Sequence, residues 1–259
     1  MEERGEGALI AYVMGGDPNV ATTRGIIDAI VSGGADIIEI GIPFSDPIAD
    51  GKSIQGAGVR SLNSGTKPMD LLDVIRSSRQ RHSVPFVIMT YFNILYSQGV
   101  DSFLGDAGRA GVDGVIIPDL PLDEVGSYSR MARAKGMDMI LLAAPTTSPE
   151  RMRTLVKNTS GFLYLVSLLG VTGARAQLTE NTLKLVKFAK RYTKGRIPLG
   201  VGFGISKPEH VAAVIKAGAD GAIVGSGIVN VVEKHHDDRI ALLAEIEDYV
   251  HQLKRATKR

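Results

Sequence analysis

The segment Gly34-Ala35-Asp36-Ile37-Ile38-Glu39-Ile40 joins a glycine, an aspartate and a short apolar run, and it decides the fold. The same phrase recurs as Gly111-Val112-Asp113 before Gly114–Ile117, as Gly136-Met137-Asp138 before Met139–Leu142, and as Gly218-Ala219-Asp220 before Gly221–Val224. Each phrase follows a helix-like stretch, and glycine can adopt the left-handed conformation that ends a helix. The nearly continuous apolar runs are typical of parallel strands buried on both faces. The repeat therefore predicts alternating helices and parallel strands.

Further strands and helices complete this alternation. We predict the other strands at Leu9–Met14, Phe86–Thr90, Phe162–Val166 and Pro198–Gly202, and helices at about 19–32, 67–82, 100–110, 122–134, 149–158, 178–193, 208–217 and 238–254. Strands and helices then alternate eight times, with no linker-like tract, which predicts one α/β domain over residues 1–259. A closed (β/α)₈ TIM barrel is favoured, although a doubly wound open sheet would give the same periodicity.

Composition excludes several classes of protein. The chain has 259 residues, 44% of them apolar and 22% charged, with a formal net charge of +2, so no broad charge favours nucleic acid or an anionic membrane as a partner. It contains no cysteine, which excludes disulfides and thiolate ligands. No apolar run approaches the ~20 residues of a membrane helix, and the polar first seven residues lack an apolar signal core. We expect a cytoplasmic protein.

Glu39 is the first candidate catalytic residue. It lies inside an apolar strand, where desolvation favours the neutral carboxyl and raises its pKa toward the range that suits proton transfer. The alternative is a structural ion pair with a lysine or arginine of a neighbouring strand.

The loop 43–51 follows this strand and contains two prolines and two aspartates, Asp46 and Asp50. Loops at the carboxyl ends of barrel strands build active sites, but either aspartate could equally cap a turn or helix. The same ambiguity applies to Asp119, at the end of the fourth strand.

Glycine-rich segments follow the last two strands, and they predict a phosphate site. Gly202-Phe203-Gly204-Ile205-Ser206 ends the seventh strand, and Gly225-Ser226-Gly227 ends the eighth. Barrels often bind phosphate here, because backbone N–H groups and a short helix N-terminus can approach the anion. Neither segment matches a dinucleotide or nucleoside triphosphate motif.

Two further observations concern the remaining loops and the histidines. The segment 167–175 is long for a βα loop, and its glycines and threonine suit a lid; an ordinary surface loop is the alternative. No histidine lies at a predicted carboxyl end of a strand, and no metal-ligand spacing occurs, so no metal site is predicted.

With these features in place, the sequence resembles the tryptophan synthase alpha subunit family. The matching segments run through nearly the whole chain in family order: Gly15–Pro18, Glu39–Gly51, Met89–Asn93, Pro118–Pro121, Gly170–Gly173, Gly202–Ser206 and Gly225-Ser226. The resemblance implies a closed barrel that cleaves indole-3-glycerol phosphate to indole and D-glyceraldehyde 3-phosphate in tryptophan biosynthesis. It also implies a beta subunit partner in an α₂β₂ complex, with pyridoxal phosphate in that partner and no cofactor in this chain.

The resemblance assigns roles to eleven residues. Glu39 would be the acid–base group and Asp50 would accept a hydrogen bond from the indole N–H. The substrate-binding residues would be Tyr12, Tyr91, Tyr164, Thr172, Gly173, Phe203, Gly204, Gly225 and Ser226. Retro-aldol cleavage needs a proton delivered to the ring carbon and another removed from the adjacent hydroxyl, which a carboxyl with a raised pKa can do.

The sequence departs from the family pattern in two places. Only a few polar residues precede the first strand, where the family usually has a helix that covers the barrel floor, so we expect a shortened floor segment. Positions 168 and 169 are leucines where family members often carry arginine or other polar residues.

Two alternative functions are an indole-glycerol-phosphate synthase, which would need a catalytic lysine at a strand end, and a non-catalytic subunit that binds ligand and activates a partner.

Overall fold

A closed parallel barrel forms the centre of the molecule. The computed structural model describes residues 5–166, 180–202 and 204–258. The strands are β1 Ala8–Met14, β2 Ile37–Gly41, β3 Phe86–Met89, β4 Gly114–Ile116, β5 Asp138–Ala143, β6 Leu163–Val166, β7 Leu199–Gly202 and β8 Gly221–Val224. They pair in chain order, and β8 returns to β1 with Ala8 opposite Gly221 and Ala11 opposite Val224. This last pairing confirms the TIM barrel and excludes the open doubly wound sheet.

Helices surround this barrel. In the described residues they are α1 Val20–Ser32, α2 Lys52–Asn63, α3 Pro68–Arg79, α4 Phe92–Gln98, α5 Val100–Ala110, α6 Val125–Ala134, α7 Pro149–Asn158, α8 Glu180–Thr193, α9 Pro208–Lys216, α10 Ser226–Lys234 and α11 Arg239–Arg255. Eight strands alternate with helices as the sequence predicts, and α2, α4 and α10 are additional helices that were not predicted. The largest shifts in the predicted helix bounds are three residues, since α3 ends at Arg79 rather than at 82 and α6 begins at Val125 rather than at 122.

The recurring Gly-x-Asp phrase has a structural explanation. Its glycines end the preceding helices or turns at positive φ, between +80° at Gly136 and +99° at Gly218, a conformation that favours glycine. Its aspartates then join neighbouring strands at the floor of the barrel. Asp36 donates its backbone N–H to the Leu9 carbonyl at 2.9 Å, and its carboxylate accepts the Leu9 N–H at 2.7 Å. Asp113 with Phe86, and Asp220 with Leu199, repeat this reciprocal pair.

Two apolar layers position the site. One fills the barrel interior and includes Ile10, Met14, Val87, Ile116, Ile140 and Ile223. The other packs the outer faces of the strands against the helices, with fully buried side chains such as Ile38, Ile40 and Phe103. Alternation along a strand sends successive side chains to opposite faces. In β2, Ile38 and Ile40 therefore face the helices and Glu39 faces the interior.

The floor of the barrel contains a large cavity. Its volume is about 1050 Å³, and it extends from Ile10 and Phe162 inside the barrel to Arg196 near the start of β7. The segment that begins the described chain lies beside it, where Glu6 forms an antiparallel bridge with Lys258 and Gly7 donates its N–H to the Thr257 carbonyl at 2.8 Å. This cavity lies at the opposite end of the barrel from Glu39 and Asp50.

Candidate active site

Glu39 is fully buried in the barrel, between Tyr12 on β1 and Val87 on β3. Within the described residues neither of its carboxylate oxygens has a hydrogen-bond partner. The structural ion pair considered as the alternative is therefore not formed by the described residues. Burial, reinforced by the nearby charge of Asp50, raises the pKa of Glu39 to about 8. A carboxyl with this pKa can both give and accept a proton near neutral pH.

Asp50 stands at the mouth of the barrel, just before α2 begins at Lys52. Its side chain forms a hydrogen bond with the Tyr91 hydroxyl, and no side chain caps the first turn of α2. Asp50 therefore does not act as the helix cap considered in the sequence analysis. Burial raises the pKa of Asp50 to about 6, while the bond from Tyr91 opposes that rise. At neutral pH Asp50 is thus mostly ionised and Glu39 mostly protonated.

Tyr91 fixes the loop 43–51 from the end of β3. Its hydroxyl accepts the N–H of Ala49 at 2.9 Å in addition to its bond with Asp50. Its ring stacks on Phe44 with centroids 5.1 Å apart. Burial and the nearby charge of Asp50 raise the pKa of the Tyr91 phenol, so it stays protonated and can donate to the Asp50 carboxylate.

The other two aspartates have structural contacts. Asp119 accepts the N–H of Phe92, the first residue of α4, at 2.9 Å. Asp46 is exposed and accepts a hydrogen bond from the hydroxyl of Ser45 at 2.5 Å. Of the three aspartates considered as site residues or caps, Asp50 alone lines the cavity described next.

A cavity of about 80 Å³ brings most of the predicted site residues together. It is lined by Tyr12, Glu39, Asp50, Gly51, Ile54, Met89, Tyr164, Gly204, Ile205, Ile223, Gly225 and Ser226. Small-molecule pockets usually enclose roughly 300 Å³ or more, so this cavity accounts for the inner part of a ligand site. Thr172, Gly173 and Phe203, the leucines at 168 and 169, and the loop 167–175 lie outside the described residues.

Two tyrosines line the same cavity as Glu39, Tyr12 on the neighbouring strand β1 and Tyr164 on β6. Two glycines make room for their rings. A Cβ atom on Gly41 would lie 2.2 Å from the Tyr12 hydroxyl, and one on Gly202 would lie 2.4 Å from the Tyr164 hydroxyl. Any larger residue at either position would displace the ring. Burial raises the pKa of both phenols, so their hydroxyls stay neutral where these side chains line the cavity.

The glycine-rich segments meet at one side of this cavity. Gly204 has a φ of +72°, which favours glycine. Gly225 precedes the first residue of α10, Ser226, and no side chain caps this helix. The amides of an uncapped helix N-terminus are suited to an anion. The helix itself was not predicted, although the sequence analysis proposed a helix N-terminus of this kind.

Several apolar lining residues were not predicted from the sequence. Ile54 comes from α2, a helix that was not predicted, and Ile223 faces inward because of the register of β8 with β1. Successive side chains along a strand face the interior and the helices in turn, as Glu39 and Ile40 do in β2. The same alternation along β8 could have identified Ile223 as an inward-facing residue. In the described residues no group of three possible metal-ligating side chains occurs, and no helix is long and apolar enough to cross a membrane.

Comparison with known proteins identifies the family. The family model of the tryptophan synthase alpha chain matches residues 1–258. The chain belongs to the tryptophan synthase alpha chain family. The alpha chain of Carboxydothermus hydrogenoformans is 48% identical over 92% of this chain and 88% of its own length, and that of Methanoregula boonei is 43% identical over 99% and 96%.

A solved structure extends this likeness to three dimensions. The alpha chain in a structure of the tryptophan synthase α₂β₂ complex of Pyrococcus furiosus has a TM-score of 0.90 and 40% identity, and the match covers 96% of this chain and 98% of that one. Family membership confirms the predicted activity, a carbon–carbon lyase that cleaves indole-3-glycerol phosphate to indole and glyceraldehyde 3-phosphate in tryptophan biosynthesis.

Proposed function

We propose that Glu39 and Asp50 carry the cleavage of indole-3-glycerol phosphate, with Glu39 moving the protons and Asp50 holding the indole ring. The observation that carries this proposal is the pair of carboxyls in one cavity with different pKa values, about 8 for Glu39 and about 6 for Asp50. Environments that separate two such values assign an acid and an ionised acceptor at neutral pH.

Glu39 would serve first as the acid and then as the base. Its protonated carboxyl delivers a proton to the ring carbon that carries the glycerol phosphate chain, which makes the ring an indolenine-like leaving group. The resulting carboxylate then takes the proton of the adjacent hydroxyl while the carbon–carbon bond breaks, the aldehyde forms and the bond electrons return to the ring. The net change moves one proton from the hydroxyl to the ring carbon and restores Glu39.

Asp50 would stabilise the charge that develops on the ring. Protonation of the carbon places positive charge on the ring nitrogen, and an ionised carboxylate that accepts the N–H opposes this charge in a partly buried site. The bond from Tyr91 supports this role because it favours the ionised form. Tyr12 and Tyr164 would enclose the ring with their aromatic faces.

Gly204, Gly225 and Ser226 would bind the phosphate at the other end of the substrate, through backbone N–H groups and the N-terminus of α10. Binding energy at this remote group would help to hold the reacting carbon near Glu39. Thr172 and Gly173, with Phe203, remain predicted contacts from the family resemblance.

We further propose that the chain works in the cytoplasm with a beta subunit in an α₂β₂ complex, as the Pyrococcus furiosus structure is described. Pyridoxal phosphate would then belong to the beta subunit. In the residues that the structure describes, none of the eight barrel strands contains a lysine, which argues against an indole-glycerol-phosphate synthase. Residues 1–259 would form a single domain.

Indole release from indole-3-glycerol phosphate by the purified chain, with and without a beta subunit, tests this function. We expect release by the wild-type chain and an increase when the beta subunit is added. A folded chain that binds phosphate but releases no indole in either condition would instead be a non-catalytic binding subunit.

A further inference from the structure

Tyr249, on the outer helix α11, contacts the loop that follows β7. Its hydroxyl donates a hydrogen bond to the carbonyl of Ser206 at 2.6 Å, and the N–H of Ser206 donates to Nδ1 of His210 at 3.3 Å. Both backbone groups of Ser206 are therefore held, two residues beyond Gly204. The Tyr249 side chain is half-buried, and burial raises the pKa of its phenol to about 12. It remains a hydrogen-bond donor throughout the pH range in which the protein works.

The same hydroxyl lies against the first turn of α10. A Cβ atom built on Gly227 would lie 1.9 Å from the Tyr249 hydroxyl and 2.8 Å from the ring carbon that bears it. Contacts this short do not occur between real side chains, so Gly227 must be glycine for Tyr249 to occupy its place. One hydroxyl thus touches both glycine-rich segments, the loop after β7 and the start of the helix after β8.

We propose that Tyr249 is a positioning residue that sets the spacing between the loop after β7 and the N-terminus of α10, and thereby the affinity of the site for the substrate phosphate. This inference rests on the proposed function, in which Gly204 on the loop and Gly225 with Ser226 on the helix bind that phosphate. Tyr249 itself lies outside the cavity and does not line it. Its effect would pass through Ser206 and Gly227, which stand two positions from Gly204 and Gly225.

The first test compares Tyr249→Phe with Tyr192→Phe. Tyr192 is also half-buried on an outer helix, where its ring packs edge-on against Phe188 at 5.1 Å. Loss of one neutral hydrogen bond corresponds to a factor of about 2 to 10. We expect Tyr249→Phe to raise the dissociation constant of inorganic phosphate and the KM for indole-3-glycerol phosphate by about this factor, with kcat within about twofold. The inference would be overturned if the dissociation constant of phosphate and the KM were the same in the wild type and both variants. It would also be overturned if both variants lowered kcat equally without changing the affinity for phosphate.

The second test separates positioning from general stability. Gly227→Ala should weaken phosphate binding because its Cβ displaces the Tyr249 hydroxyl, and adding Tyr249→Phe removes the closest clashing atom. We expect the double variant to bind phosphate more tightly than Gly227→Ala alone, so the two changes are not additive. Additive losses would overturn the inference. If Tyr249→Phe alone proves too unstable to measure, a double variant that binds phosphate no more tightly than Gly227→Ala would overturn it as well. A wild-type chain that binds no phosphate and releases no indole would refute the proposed function itself.

Discussion

The ionised side chain of Asp50 raises the pKa of the buried Glu39 carboxyl, so the two groups titrate as a pair rather than separately. Burial is the larger cause for each residue. Because Asp50 lies nearer the mouth of the barrel and bonds to Tyr91, it loses its proton first. The order of the two titrations gives the site its protonated acid and its ionised acceptor over the same range of pH.

The pH dependence of turnover follows from this order. Activity requires ionised Asp50, with a pKa of about 6, and protonated Glu39, with a pKa of about 8. We expect a bell-shaped profile of kcat/KM with its limbs near these two values. The measurement is the rate of indole release at subsaturating substrate from pH 5 to pH 9. A flat profile over this range would contradict the proposed roles.

Asp50→Asn should change both the height and the shape of that profile. The neutral amide gives up the charge that opposes the positive ring nitrogen, and we expect kcat/KM to fall by about 10- to 100-fold. Loss of the charge also lowers the pKa of Glu39, so the alkaline limb of the residual activity should move to lower pH. Asp46→Asn, in the same loop but exposed, is the matched control and should leave the limbs in place. An alkaline limb unmoved in Asp50→Asn would show that the two carboxyls do not interact.

Tyr91→Phe should act through Asp50. The variant loses the hydroxyl that bonds Asp50 and accepts the N–H of Ala49, so kcat/KM should fall by about 2- to 10-fold. The acid limb should also move to higher pH, because the lost bond favoured the ionised carboxylate. Tyr96→Phe provides the control, since Tyr96 is 72% exposed on α4. A lowered rate with an unmoved acid limb would indicate that Tyr91 positions the loop alone.

The buried carboxyl also predicts how stability depends on pH. The pKa of Glu39 is about 8 in the folded chain, against 4.5 for a glutamate side chain exposed to water, so between these values the folded state holds a proton that the unfolded state releases. Its contribution to stability is fully present below pH 4.5 and is lost as the pH rises toward 8. Relative to wild type, Glu39→Gln should gain roughly 3 kcal/mol between pH 5 and pH 7.5. Urea unfolding of both proteins at the two pH values measures this, and parallel curves would contradict the raised pKa.

Much of the barrel could be predicted from the sequence because local rules set its parts. The Gly-x-Asp phrase marks the starts of β2, β4, β5 and β8, and the predicted helix bounds agree with the structure within three residues. The additional helices escaped prediction for local reasons. Helix α2 contains Gly56 and Gly58 in its interior, and α4 has only seven residues. Closure of the barrel depends on the pairing of β1 with β8, which are about 210 residues apart along the chain and which no local pattern encodes.

The site could be predicted in part for the same reason. Glu39 stands out because a charge inside an apolar strand is costly, and that signal is local. The hydrogen bond between Tyr91 and Asp50, the glycine space for Tyr12 and the contact of Tyr249 with Ser206 each join residues from different elements. Their contacts depend on how the strands and loops are brought together in the barrel.

Proton transfer by Glu39 is best tested by single-turnover indole release from bound indole-3-glycerol phosphate, measured for Glu39→Gln and wild type at pH 7. Glutamine has nearly the same shape but cannot give or take the proton, so we expect the variant to bind the substrate and to release indole at least 100-fold more slowly, since general acid–base catalysis contributes about 10²–10⁴-fold. Release by Glu39→Gln within a few-fold of wild type would contradict this role and would assign proton transfer to another group.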